Sequence, residues 1–357
     1  MDASIAELDR YQKALIQIAT PFSTGTGFYL AKYNVIVTCE HLVRGNKKVV
    51  INNDYLGKQL STLLYLDPQY DMAFLKGPAT KLTSIELSTR EVRMGELVTA
   101  IGHPYGQELA TSNGVISNIN QKRNDLVVLM HSATLNPGHN GGPLLDQYGY
   151  VVGMNTFLMH SGENRALALP AHYIIRALEE FELGGRNFTV RCHLCHHLVV
   201  KGSSDGHCSQ CGSKVFLPNE IGAYEPRGIN KTIEEILAQL GQDIELARIG
   251  PNLWEVIEGS AKVYLSYHEE SGLIIGDSFL AQLPEKAVGS VYEYLLRENY
   301  LLDDLSFSVK GKDIILSLII YDRYLNVDTA EIRMKRLFEK SDHYDNILVE
   351  SYGARWK

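Results

Sequence analysis

Between Thr24 and about Leu169 the apolar residues fall in short runs separated by clusters of Gly, Pro, Asn and Asp. The runs are Gly27 to Ala31, Val35 to Cys39, Val49 to Asn52, Leu97 to Ile101, Val115 to Ile119, Leu126 to Met130 and Val151 to Asn155. Short β-rich runs punctuated by turn residues predict an all-β barrel or sandwich. Upstream, Ile5, Leu8, Tyr11, Leu15 and Ile18 recur at near-helical spacing, which predicts a short N-terminal packing helix. Pro170 is placed to open a further helix through Leu178 and Phe181, because proline suits a first helical turn.

Beyond Gly184 and Gly185 the pattern changes. A cysteine-rich segment runs from Thr189 to Phe216, and a polar linker with Gly and Pro follows from Pro218 to Gly228. The remainder predicts a helix over Thr232 to Leu240 and strands over Leu253 to Ile257, Lys262 to Tyr267 and Leu273 to Phe279. A helix over Ala287 to Glu298, strands over Leu305 to Val309 and Asp313 to Tyr321, and a long helix from Asp328 complete it. This order points to a separate α+β domain. In its last strand Ile314, Leu316, Leu318 and Ile320 alternate with Ile315, Ser317, Ile319 and Tyr321, so both faces are apolar. Core packing is the commoner reason for such a run, and a partner surface is the other.

At 357 residues the chain has room for two or three domains with cores of their own. Its apolar fraction of 45% and charged fraction of 21% are those of an ordinary globular protein. No stretch approaches the roughly 18 apolar residues of a membrane span, so no membrane segment is expected. The first twenty residues are acidic early and lack a basic start with an apolar core, which reads as a cytoplasmic terminus. A net charge of -8 argues against general affinity for nucleic acid or anionic membrane.

Of five cysteines, four form two Cys-x-x-Cys pairs: Cys192 with Cys195, and Cys208 with Cys211. Two such turns can converge four thiolates on one tetrahedral ion, so the segment is expected to be a zinc ribbon holding a structural Zn2+ in a reducing compartment. His193, His196, His197 and His207 read as exposed neighbours of the ligands. A ribbon this short cannot bury a core of its own, so metal would supply its folding energy. Arg186, Arg191, Lys201 and Lys214 set against Asp205 give too little positive charge for nucleic-acid recognition.

Four segments carry further chemistry: Gly25-Thr26-Gly27-Phe28, Thr38-Cys39-Glu40-His41-Leu42-Val43, Asp67 to Lys76, and Asn136-Pro137-Gly138-His139-Asn140-Gly141-Gly142-Pro143. In this order, with support from Ala100 to Gly106 and Val152 to Thr156, they resemble trypsin-fold serine proteases, especially the HtrA type. The resemblance covers roughly residues 20 to 180 and implies a double β-barrel. It implies His41 as general base, Asp71 as the carboxylate that orients it, and Gly138 and Asn140 as backbone donors to an oxyanion. Thr134, Leu135, Asn155 and Thr156 would line an apolar or neutral substrate pocket, with Phe157 and Leu158 following.

Where that family has its serine this chain has Asn140. A carboxamide nitrogen cannot serve as the acylating nucleophile, and removal of the serine from such a triad costs on the order of a million-fold in turnover. Two readings stay open. One is a pseudoprotease that binds a protein or peptide partner; the other is an active serine endopeptidase whose catalytic Ser has been replaced by Asn in this sequence.

The C-terminal order of helices and strands resembles type III secretion chaperone-like domains, the fold shared with the YbjN family. That resemblance implies an interaction module, with a homodimer through this domain as one arrangement. The expected organisation is thus a trypsin-like domain over 1–184 with an N-terminal helix, a zinc ribbon over 189–216 and an α+β domain over 229–357.

Overall fold

The computed structural model describes residues 11–80, 82–103, 109–123, 126–160, 163–203 and 205–356. Ile5 and Leu8 of the expected N-terminal helix, and Pro104 to Gly106 of the supporting motif, lie outside these residues. The chain divides into two compact units that meet in sequence between Tyr224 and Glu225.

The first unit contains two closed antiparallel barrels. Strands β1 (Leu15–Ala19), β2 (Thr24–Leu30), β3 (Val35–Thr38), β4 (Lys48–Asn52), β5 (Gln59–Asp67) and β6 (Met72–Lys76) form the first. They run in the order β5-β4-β1-β2-β3-β6 and close through β5 with β6. The second is β7 (Leu97–Gly102), β8 (Ala110–Arg123), β9 (Leu126–His131), β10 (Pro143–Asp146), β11 (Val151–His160) and β12 (Glu163–Pro170), in the order β10-β11-β12-β9-β8-β7. Closure pairs the end strands of each ring with one another, β5 with β6 and β10 with β7.

The N-terminal expectation needs correction. Tyr11 to Ala14 are helical, but Leu15 and Ile18 belong to β1, which pairs with β2 on one side and β4 on the other. Leu15, Ile16, Ile18 and Ala19 are all buried. A strand covered on both faces is apolar at nearly every position, so over five residues its pattern mimics a helical stripe.

Phe28, Ile36, Leu63, Tyr65 and Phe74 fill the first barrel. Tyr65 stacks on Phe74 at 4.6 Å between ring centroids. A short helix α1 (Glu40–Val43) follows β3, and α2 (Ala171–Leu183) starts after Pro170. Phe181 of α2 meets both Tyr65 and Phe74 edge-on. The second barrel is packed around Val98, Ala100, Ile116, Leu129, Leu135, Leu144 and Val152.

The cysteine segment is built onto the first barrel. Strand β13 (Thr189–Arg191) pairs in parallel with β5, Thr189 opposite Tyr65 and Val190 opposite Leu66, and forms a hairpin with β14 (Leu198–Val200). Val190, Cys192, Val199, Cys208, Val215 and Leu217 join the barrel's own core. The segment therefore has apolar support besides any metal.

The second unit is one six-stranded antiparallel sheet with helices. Its elements are α3 (Gly228–Gln239), α4 (Ile244–Ala247), β15 (Arg248–Gly250), β16 (Leu253–Glu258), β17 (Ala261–His268), β18 (Leu273–Gln282), α5 (Val288–Leu301), β19 (Leu305–Lys310), β20 (Asp313–Tyr321) and α6 (Val327–Tyr352). The sheet order is β15-β16-β17-β18-β20-β19. On β20, Ile314, Leu316, Leu318 and Ile320 are buried, whereas Ile319 and Tyr321 are 48% and 47% exposed. One face of that strand is core and the other is partly open. Asn326 caps α6 through the N–H groups of Asp328 and Thr329, and Gly353 ends it at φ 67.

Candidate active site and cysteine knuckle

His41 is presented by the four-residue turn of α1, whose Leu42 and Val43 are buried and anchor it. Asp71 ends the turn between β5 and β6. That turn is shaped by Asp67, whose Oδ1 accepts the N–H of Gln69 and of Tyr70, both at 3.1 Å. Such a bond from a side chain to the backbone two residues on is how Asp nucleates a turn. Asp71 itself takes a left-handed φ of 50, which Asp tolerates better than most residues.

The carboxylate of Asp71 accepts from the His41 ring at Nδ1, 2.8 and 2.9 Å, and from the His41 backbone N–H at 3.0 Å. Thr156 Oγ1 donates to it at 3.3 Å. A carboxylate accepts, so Nδ1 carries a proton toward Asp71 and Nε2 is the ring atom turned to the loop. Facing Nε2 is Asn140 Nδ2, at 3.4 Å.

The loop that carries Asn140 is pinned throughout. His139 N–H donates to Asn136 C=O at 3.0 Å, closing a four-residue turn with Gly138 third at φ 104. Positive φ at that place is the mark of a type II turn and suits glycine. Thr26 holds both sides of the loop: its Oγ1 donates to Gly138 C=O at 2.7 Å, and its N–H to Asn140 C=O at 2.9 Å. Gly141 N–H donates to Asn155 C=O at 2.9 Å. Gly141 has φ 81, and a Cβ there would lie 2.2 Å from Thr26 O and 2.4 Å from Thr38 Oγ1. Only glycine fits.

Residues 25–154 match the trypsin-like peptidase domain family. This part of the chain is similar to trypsin-like peptidase domains, and its curated relatives include HtrA-type serine proteases. A probable periplasmic serine endoprotease DegP-like of Pseudomonas putida is 30% identical over 252 residues, which is 68% of this chain and 52% of that protein. The DegP-like protein of Halomonas elongata is 34% identical over 140 residues, 38% of this chain and 29% of its own length. Human serine protease HTRA3 is 30% identical over 179 residues, 45% of this chain and 39% of its own. The chain thus spans about half or less of the length of these curated relatives. The solved serine endoprotease of Yersinia pestis is 24% identical, with a TM-score of 0.44 over 51% of this chain and 67% of that one.

Within the peptidase domain the expected pocket residues separate. Thr134 is exposed, but Leu135 packs into the second barrel's core. Asn155 is fully buried, its Nδ2 donating to Pro143 C=O at 2.8 Å. Thr156 is buried against Asp71, so its hydroxyl braces the carboxylate. Cys39 is buried and its thiol faces Asn155 C=O at 3.6 Å. Sequence reasoning did not single out His131. It is buried, and desolvation lowers its ring pKa to about 4, only partly offset by the neighbouring Asn155 and Leu167. Burial also lowers His139, partly offset by the bond to Asn136.

The four cysteines converge. Cys192 Sγ lies 3.6 Å from Cys211 Sγ, and Cys195 Sγ 3.5 Å from Cys208 Sγ; all four thiols are free. Four sulfurs bound tetrahedrally at 2.3 Å stand about 3.8 Å apart, so the spacing and the ligand type both fit zinc. The two knuckles repeat one backbone design. Cys192 C=O accepts from His196 N–H and Cys192 N–H donates to His197 C=O; Cys208 does the same with Gly212 and Ser213. His196 and Gly212 occupy equivalent places and both have positive φ, 61 and 74. His193, His196, His197 and His207 are all exposed.

Sequence reasoning also missed Arg191. Its guanidinium is buried between Asp67, Tyr65, Glu180 and the knuckle. A lone arginine before a cysteine carries no signal in the sequence, because Asp67 and Tyr65, which bury it in the first barrel, lie more than a hundred positions away.

Proposed function

We propose that the peptidase domain no longer performs acyl transfer and holds a peptide or protein segment in the cleft of an HtrA-type protease. One observation carries this reading: Asn140 Nδ2 stands 3.4 Å from His41 Nε2 while the His41–Asp71 pair is intact. The base is in place and oriented, and the group facing it is an amide whose nitrogen lone pair is delocalised. The pinned loop from Asn136 to Gly142 supports a retained oxyanion turn, with Gly138 and Asn140 supplying the N–H groups. Thr134 leaves the pocket wall neutral.

The other two parts follow the same reading. Cys192, Cys195, Cys208 and Cys211 would hold a structural Zn2+, which supplies a cross-link between the two knuckles when bound. A reducing, cytoplasmic setting suits four free thiols. The C-terminal unit would act as a chaperone-like interaction module, its partly open β20 face offering apolar surface.

The experiment is labelling with a fluorophosphonate. The chain as written is expected to stay unlabelled and to leave peptides uncut. Asn140→Ser is expected to gain labelling that His41→Ala removes. Cleavage by the unaltered chain that depends on His41 would sink the pseudoprotease reading, and an Asn140→Ser chain that neither labels nor binds peptide would sink the retained cleft. The endopeptidase alternative instead requires Asn140→Ser to turn over peptides at a rate ordinary for such enzymes, ~1–1000 per second.

A further inference from the structure

Arg191 sits immediately before the first knuckle cysteine, and its side chain is 5% exposed. Its Nε donates to Asp67 Oδ2 at 2.6 Å, and one terminal nitrogen donates to Tyr65 Oη at 3.2 Å and to Glu180. The other terminal nitrogen donates to His196 C=O at 3.0 Å, and the guanidinium lies 5.0 Å from the centre of the Tyr70 ring. One rigid fork therefore grips the cysteine turn at one end and the β5–β6 turn at the other.

Asp67 is fully buried, and it spends both carboxylate oxygens on this junction. Oδ2 takes Arg191 and Tyr65 Oη, and Oδ1 takes the N–H groups of Gln69 and Tyr70. The next residue is Asp71, left-handed at φ 50 and bonded to His41. A residue held in a sparsely populated backbone region persists only while its surroundings over-determine it. Here the surroundings are the bonds of Asp71 to His41 and Thr156 and, on the backbone side, the turn held by Asp67 and through it by Arg191.

We infer that Arg191 is a positioning residue for the His41–Asp71 pair, and that closure of the four-cysteine knuckle around a metal ion controls the pair through it. The second half rests on the zinc reading above. Without a shared ion the two knuckles lose their cross-link, and the Cys192-to-His196 turn is free to release its carbonyl from the guanidinium. The fork then loses one anchor, Asp67 gains room, and Asp71 can relax from its left-handed conformation away from His41. The knuckle is in this sense a control site for the peptidase cleft.

The test is made on the full chain labelled with 15N-histidine, reading the exchange-protected Nδ1–H of His41, identified by its absence in Asp71→Asn. Zinc content is measured on the same samples. With one zinc per chain the signal is expected to be protected. Chelation is expected to reduce that protection about tenfold or more, and Arg191→Met to do the same with zinc still bound. Because Arg191→Met strips the counter-charge from two carboxylates, Arg191→Lys is run beside it. Lysine keeps the charge but cannot reach Asp67, Tyr65 and His196 together. Chelating the Arg191→Lys chain is expected to add no further loss, as required of two changes acting through one link. Glu180→Gln removes a charge from the same guanidinium but no contact to Asp67, and should leave the signal in place.

Unchanged protection in both Arg191 variants would overturn the positioning role. Loss in those variants with no response to chelation would overturn the metal control alone. A chain that never takes up zinc yet keeps the signal would overturn the metal reading itself, with the Arg191 variants still deciding the first half. Equal loss in Glu180→Gln would reduce the effect to general packing and overturn the specific link.

Discussion

His41, Asp71 and Asn140 come from three separate turns, and each is held by bonds that a sequence reader can only partly foresee. The motif around Asn140 made the loop legible, because Gly138 and Gly141 sit where side chains would collide or strain. Gly141→Ala is therefore expected to cost about 2 kcal/mol or more, seen as a lower midpoint in denaturant unfolding, with the Asn140 loop the first part to exchange its amides. His131 was illegible: nothing in a strand pattern says which buried position carries an imidazole. Its ring pKa falls from 6.5 to about 4 on folding, so the unfolded chain binds the extra proton between those values. Stability should thus fall as pH drops through about 6.5 toward about 4, by on the order of 3 kcal/mol from this group. Burial shifts His139 and His172 the same way. Unfolding curves at several pH values, compared with His131→Gln, check this; an equally steep acid loss in the variant would assign it elsewhere.

At the scale of elements, runs with clean turn residues at both ends were readable, and β20 over Asp313–Tyr321 is where its alternation put it. Strand β1 was not, because burial on two faces erases the period that marks a strand. Strand β5 went unseen as well, since Gln59, Ser61 and Thr62 interrupt its apolar positions. The knuckle turns were legible from cysteine spacing alone, but their seat on β5 was not, for a parallel pairing leaves no local trace. That seat changes the expected effect of metal loss. Because Val190, Val199, Val215 and Leu217 pack into the barrel core, Cys208→Ser or chelation should lower the melting temperature of the first unit by several degrees. Complete unfolding of the barrels on chelation would show that the apolar seat contributes little.

For the molecule as a whole, a change of composition near Gly228 signalled the division that falls between Tyr224 and Glu225. Each unit has its own core: Trp254, Val263, Leu316, Met334 and Phe338 belong to the second. A fragment of residues 225–357 should accordingly unfold in one cooperative transition by itself; a fragment without a transition in calorimetry would contradict that independence. What the sequence could not convey is the distance over which the first unit is stitched. Arg191 and Asp67 are 124 positions apart, and a ribosome adding 5–20 residues per second needs roughly 6–25 s to span that gap. During that interval every strand of the first barrel has been made, yet its most deeply buried carboxylate still lacks its guanidinium. A newly made cleft is thus a soft one, and the cysteine turn that arrives last sets it.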